Sequence, residues 1–270
     1  MSNNENMQNV LQLLKELDKS NSFEIYLPSL QKNILFKQLN TEQLKKLLKT
    51  VIDSPIHNTE FIITFNTIIK ENILDGSINV DELNIFDKLL ILIKTRIESV
   101  SHDYTFTLTE EEYSQLETDE KIFNVNLKQI YDNFTDQEPL FDKEIIKSGA
   151  YEITASLPSL QTENKLEKEL YKNVKLEIST PEELRNTIGD TFINELTKYI
   201  STLRVNETEI DLNTLTFKNR IKIIEQLPTS AINGVLKYVE KYKTTTKPLT
   251  TYSKGNLEKE LPQDATLFNM

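Results

Sequence analysis

Ser101-His102-Asp103 is the stretch whose residue types first suggest chemistry, because a serine, a histidine and a carboxylate are the parts of a nucleophilic triad. Triads gather residues from distant parts of a chain, since neighbouring side chains rarely face one another, so this run reads as a loop. Asp75-Gly76-Ser77-Ile78-Asn79-Val80-Asp81 sets oxygen donors at alternate positions, as a calcium loop does. Its glycine stands second instead of sixth, and Phe86 occupies the place of the closing bidentate glutamate. A joint between two helices explains it better. The paired carboxylates Glu182-Glu183 and Glu258/Glu260 suit a helix start and a charged surface, and nothing in their spacing puts them across a cleft. His57 reads as a surface or capping residue near the start of a helix. No catalytic, cofactor-binding or metal-ligating residue is nominated, and the chain is read as a non-enzyme.

Composition narrows the field further. The 270 residues include no cysteine, which removes disulfides, thiol nucleophiles and thiolate metal sites. Two histidines cannot build a metal site rich in imidazole. Five glycines are few against the ~7% of average usage, and no glycine-rich phosphate cradle occurs. The longest aliphatic run, Leu89–Ile93, falls far short of the ~20 apolar residues of a membrane span. The polar Met1–Met7 start does not resemble a secretory signal. These features point to folding in a reducing cytoplasm, away from membranes. A formal net charge of −11 argues against nucleic acid as a partner. The densest basic stretch, Lys237–Lys247, is interrupted by Glu240 and reads as a solvated helix end.

The elements that must position any working surface follow from hydrophobic period. Val10, Leu11, Leu14 and Leu17 predict a short amphipathic helix over Glu5–Lys19. Phe23–Leu27 alternates, Pro28-Ser29 turns, and Asn33–Gln38 returns, which predicts a β-hairpin. Asn40 and Gln43 form a capping box for a helix whose buried stripe would be Leu44, Leu47, Leu48 and Val51. Phe61, Phe65, Ile68, Ile69 and Leu74 predict a second helix, and Leu83, Phe86, Leu90, Ile93 and Ile97 a third over Val80–Val100. Residues 1–100 are thus expected to form one unit of a hairpin with helices. Residues 101–179 are expected to be β-rich, with strands at Tyr104–Leu108, Ile122–Leu127, Ile130–Phe134, Tyr151–Thr154 and Val174–Ile178, and a long loop at Asp136–Gly149. Residues 180–270 are expected to be helical. Thr180-Pro181-Glu182-Glu183 opens a helix reaching Leu203, further helices cover Thr216–Gln226 and Thr229–Tyr242, and Pro248–Tyr252 makes a terminal strand. The fold class is α+β. Leu27-Pro28-Ser29-Leu30-Gln31 recurs as Leu157-Pro158-Ser159-Leu160-Gln161, a match too short to establish a duplicated domain.

The segment Ile25–Leu39, with Pro28 in the turn and Ile34 and Phe36 on the returning strand, resembles the opening of the baseplate hub proteins of T-even-type contractile-tailed bacteriophages. Thr41–Lys49 resembles the Lys- and Leu-rich helix that follows in that family. Leu212–Ile224, then Gln226-Leu227-Pro228, then the helix bearing Tyr238 resemble its helix–LP–helix ending, and Leu267-Phe268 stands where its apolar-aromatic tail would be. Cysteine pairs known near the C-terminus of some members are missing, so no metal role attached to them carries over.

The resemblance implies a non-enzymatic hub component or hub assembly protein of the virion tail baseplate, assembled in the host cytoplasm. Its partners would be other baseplate and tail hub proteins in a hetero-oligomer, with no cofactor. The hairpin and the tail would offer strand edges and apolar anchors to neighbours, with Leu27, Leu30, Leu267 and Phe268 facing partners. Alternatively, Leu27 and Leu30 close the hairpin over their own unit. Competing readings are an acidic cytoplasmic adaptor or inhibitor, which needs carboxylates gathered on one face, and a carboxylate hydrolase, which needs a deep pocket.

Overall fold

The computed structural model describes residues 6–10, 12–13, 21–53, 58–114, 122–173 and 192–269. The chain is an α+β protein. It divides into two compact units, the first made of Met1–Val80, Asp87–Pro139 and Pro248–Met270, the second of Asp81–Phe86 and Leu140–Lys247.

Unit 1 opens with the expected hairpin. Strands β1 (Ser22–Leu27) and β2 (Lys32–Lys37) pair antiparallel with Phe23 opposite Phe36 and Ile25 opposite Ile34. Period-two alternation puts Ile25, Leu27, Ile34 and Phe36 on the buried face. Gln31 closes the turn with φ +50, a left-handed conformation. Helices α1 (Thr41–Asp53), α2 (Thr59–Asn72) and α3 (Ile85–Ser99) follow. The third is shorter than its apolar stripe suggests, because Val80–Glu82 is a separate 3-10 turn.

The first helix is rotated from its expected face. Gln43, Leu47 and Thr50 are buried, whereas Val51 is 42% exposed. The reason is a polar knot that the capping box extends. Asn40 Oδ1 accepts the Gln43 N–H at 2.9 Å, and Gln43 Oε1 accepts the Asn40 N–H at 3.3 Å. The same Gln43 amide then donates to Asn72 Oδ1 at 2.8 Å, and Asn72 Nδ2 returns a bond to Gln43 Oε1 at 3.2 Å and another to the Lys37 carbonyl at 3.3 Å. Hairpin, α1 and α2 are therefore tied through two amides. Gln43→Ala is expected to cost unit 1 about 1–3 kcal/mol in urea unfolding, because it removes the Gln43 donor from the buried Asn72 Oδ1 and leaves Asn72 Nδ2 only the Lys37 carbonyl.

Strands β3 (Asp103–Thr107) and β4 (Ile122–Asn126) form a second hairpin, with the short helix α4 (Glu110–Ser114) between them. Residues 130–134, expected as strand, belong instead to helix α5 (Leu127–Thr135). Asn126 caps it by accepting the Gln129 N–H at 2.8 Å, the same Asn-x-x-Gln spacing as at Asn40, and Leu127 and Tyr131 are buried one turn apart. The cap outweighs the β-branched and aromatic character of the run.

Unit 2 is built on one antiparallel sheet in the order β5 (Glu144–Ser148), β6 (Tyr151–Ala155), β7 (Ile200–Val205), β8 (Thr208–Asp211). The expected loop at 136–149 thus contains a strand, and Gly149, at φ +59, makes the tight return to β6. Helices α6 (Leu160–Asn173), residues 192–198, α7 (Phe217–Ile224) and α8 (Thr229–Thr250) supply the rest. The helix expected to reach Leu203 ends at residue 198, and Leu203 is a buried strand residue. Its start at Thr180-Pro181, and the strand expected at Val174–Ile178, lie outside the described residues. Leu196, Leu203, Leu212, Ile224, Ala231 and Val235 form the core with Ile153. Helix α8 comes so near β5 that a Cβ on Gly234 would run into the Ile146 side chain.

Pro248 does not start a strand. Helix α8 continues through it to Thr250, and strands β9 (Thr251–Lys254) and β10 (Leu257–Glu260) then form a hairpin of unit 1 with Gly255 at φ +61 in its turn. A 3-10 turn at Ala265–Phe268, capped by Asp264, ends the described chain.

Candidate interaction surfaces

The sheet of unit 2 has two unlike faces, and its register assigns each residue to one of them. Ile146, Ile153, Leu203 and Ile210 stand opposite one another across the four strands, an apolar rung on the core side. The neighbouring rung, on the other face, reads Lys147, Glu152, Arg204, Glu209. Its charges alternate and pair. Lys147 Nζ lies 3.5 Å from Glu152, Arg204 Nη1 lies 3.4 Å from Glu152, and Arg204 Nε donates to Glu209 Oε2 at 2.9 Å. The Glu209 carboxylate, and after it Glu152, pushes the Arg204 pKa up. The next rung on this open face joins Thr154 to Thr202 by a 2.8 Å hydroxyl bond, with exposed Ile145 and Asp211 at its two ends. Such a face can recognise a surface by shape and charge order, but it gathers no nucleophile and base.

The candidate partner contacts separate. Leu27, Leu267 and Phe268 have no exposed surface, so in this fold they are interior side chains of unit 1. Phe268 lies 6.3 Å from the Phe65 ring, and the Leu267 carbonyl accepts from Arg96 Nε at 2.7 Å. Leu30, at the hairpin tip, remains 40% exposed. The motif residues Pro28, Ile34 and Phe36 are buried in the hairpin. In unit 2, Leu227 and Pro228 are half-buried, and the Pro228 carbonyl accepts the Ala231 and Ile232 N–H groups that begin α8. Tyr238 is buried with its ring edge-on to Phe141 at 5.1 Å. Exposed apolar side chains outside the candidate partner contacts include Met7, Val10 and Leu13 in unit 1 and Ile145 in unit 2.

The stretches with catalytic residue types serve local structure. Ser101 Oγ accepts the Asp103 N–H at 3.2 Å, and the His102 carbonyl accepts the Leu127 N–H at 2.9 Å, so Ser101-His102-Asp103 is a turn into β3. Asp75 accepts from the hydroxyl and N–H of Ser77, and Lys32 lies 3.2 Å away. The Ser77 bonds first, and then Lys32, lower its pKa to about 2. The loop's carboxylate is thus engaged by Ser77 and an ammonium. His57 and Glu182-Glu183 lie outside the described residues. Among the described residues no group of three potential ligands could hold a metal ion, and no helix is long and apolar enough to cross a membrane.

Two buried cations were not legible as such. Arg96 of α3 donates to the carbonyls of Leu267, Ser101 and Asp103. Arg220 of α7, 1% exposed, donates to the carbonyls of Thr197 and Ile200, the latter at 2.9 Å. Each satisfies carbonyls where a chain segment ends, which is a structural task. Apolar spacing gives no hint of such roles, since arginines on helices are ordinarily solvated.

The family model described as T4 bacteriophage base plate protein matches residues 20–255. The chain belongs to this family. Comparison with curated proteins and with solved structures returned no match. As a phage base plate protein it has its place in the virion tail. The matched span takes in the β1–β2 hairpin and all four strands of the unit 2 sheet. It ends before the Ala265–Phe268 turn.

Proposed function

We propose that this base plate protein is a non-enzymatic hub component or hub assembly protein, acting through contacts with other hub and tail proteins in a hetero-oligomer assembled in the host cytoplasm. The observation that carries the reading is the family match across residues 20–255. The segment Ile25–Leu39, which resembles the opening of the hub proteins, forms a hairpin that leads directly into α1, and this local structure supports the narrower assignment. The open sheet face supports a contact role. Its alternating charges fit a surface of complementary order, and such order favours the right neighbour over wrong ones. The same alternation weighs against the acidic adaptor reading, which needs carboxylates massed on one face.

The test is affinity purification of the tagged chain from phage-infected cells, joined to mass spectrometry of purified virions. Hub proteins are expected to co-purify with it, and a hub component is expected in virions at fixed stoichiometry, whereas an assembly protein is expected only in the tail precursors. Recovery of the chain alone from infected cells, together with its absence from both virions and precursors, would overturn the hub assignment.

A further inference from the structure

We propose that the outer edge of β8 is a strand-pairing site for an extended segment of another polypeptide, one that carries basic residues on either side of an apolar residue. Four observations meet there. First, β8 is an edge of the four-stranded sheet, and Glu207–Asp211 are all exposed. Among the described residues β8 pairs with β7 alone and no other backbone segment pairs with it; at its end the Asp211 carbonyl accepts the Thr214 hydroxyl at 2.7 Å and the Asp211 carboxylate accepts the Asn213 N–H at 2.8 Å, which leaves the edge open over Thr208–Ile210. Second, no proline interrupts the stretch and its charges are all acidic, so it repels like-charged strands and admits a basic one. Third, the apolar rung runs past the rim of the core. Ile153 and Leu203 are buried, but Ile210 at its end is 37% exposed, so one more strand would extend the rung and cover it. Fourth, the residues on either side of Ile210 are Glu209 and Asp211, which face the opposite side of the sheet.

Charge selects the occupant. Two copies of β8 paired antiparallel about Ile210 would set Glu209 against Asp211, and like charges directly opposite disfavour that pairing. A strand reading basic–apolar–basic sets its apolar residue beside Ile210 and its cations beside the two carboxylates. Main-chain hydrogen bonds supply the affinity and the alternation supplies the choice. That the occupant is a neighbouring tail protein rests on the hub reading above, whereas the pairing itself is a property of the isolated chain and is tested on it.

The full chain is titrated with the capped peptide Thr-Thr-Lys-Ile-Lys-Thr-Thr, labelled for fluorescence anisotropy, and with Thr-Thr-Glu-Ile-Glu-Thr-Thr as the control. Amide exchange is followed by mass spectrometry in parallel. The basic peptide is expected to bind about tenfold more tightly than the acidic one, to weaken with added salt, and to slow exchange at Thr208–Asp211. Glu209→Lys should cost about tenfold in affinity and reverse the preference between peptides. Because Glu209 also pairs with Arg204, Ile210→Thr serves as the second variant, and it should weaken binding while leaving the unfolding midpoint in place. Failure of the basic peptide to bind, equal binding of both peptides, or protection confined to β5 would overturn the proposal. None of those results would bear on the hub assignment, which the virion measurement decides.

Discussion

Replacing Phe268 with alanine is expected to destabilise unit 1 by about 3–5 kcal/mol, read as a fall in the urea midpoint of its unfolding. The side chain has no exposed surface, it packs beside Phe65, and the turn that carries it lies against α1. Truncation leaves a cavity that neighbours on α1 and α2 would have to move to fill. Leu30→Ala, at the exposed hairpin tip, should change stability by under about 0.5 kcal/mol. A Phe268→Ala loss below 1 kcal/mol on the scale of buried aromatic truncations would mean that the tail is only loosely docked. Deleting the tail therefore removes part of the core, and loss of assembly after deletion would not by itself reveal a partner contact. Leu30→Ala is the cleaner probe of hairpin contacts, because it alters the tip and leaves the interior intact.

Arg220→Lys is expected to destabilise unit 2 by about 2–4 kcal/mol. The guanidinium reaches the carbonyls of both Thr197 and Ile200, and burial lowers its pKa to about 10, so it remains charged at neutral pH. A lysine carries one nitrogen on a flexible stem and cannot reproduce the planar fork, which leaves a buried carbonyl without a donor. Amide exchange should rise first at the start of β7, where Ile200 sits. Arg220→Met, with similar length and no charge, should cost a comparable amount, since the loss lies in the unsatisfied carbonyls and not in an ion pair. Stability within 0.5 kcal/mol of the parent for both variants, the scatter of neutral surface changes, would exclude this role.

The elements with strong local signals were legible. The β1–β2 hairpin follows from alternation and a proline turn, the second and third helices from apolar stripes, and the start of α1 from its Asn–Gln capping box. Where two local signals competed, the weaker-looking one sometimes prevailed. At Asn126 a cap decided for helix over a β-like composition. At Pro248 a helix already about five turns in length continued through the proline, with Leu249 buried and Thr246 returning a hydroxyl bond to the Tyr242 carbonyl. The open sheet face was hidden, because β5 and β8 are short and their alternation shows only once they are aligned on β6 and β7.

The repeated Leu-Pro-Ser-Leu-Gln makes the division plain. In unit 1 the first copy is a hairpin turn whose Ser29 N–H donates to Asp87 Oδ1 at 3.0 Å. In unit 2 the second copy enters a helix, with Ser159 Oγ accepting the Thr162 N–H and the Leu160 N–H donating to the Leu83 carbonyl at 2.7 Å. Identical residues take different structures because their neighbours along the chain and in space differ. By itself the sequence determined that no cysteine chemistry is available, the types of most of its elements, and the resemblance to its family, since composition, period and capping are local properties. Tertiary structure alone decided that Leu267 and Phe268 are core, that Arg96 and Arg220 serve buried carbonyls, and that β8 lies at the edge of its sheet. Burial depends on residues far apart in the chain, and no spacing within a short window encodes them.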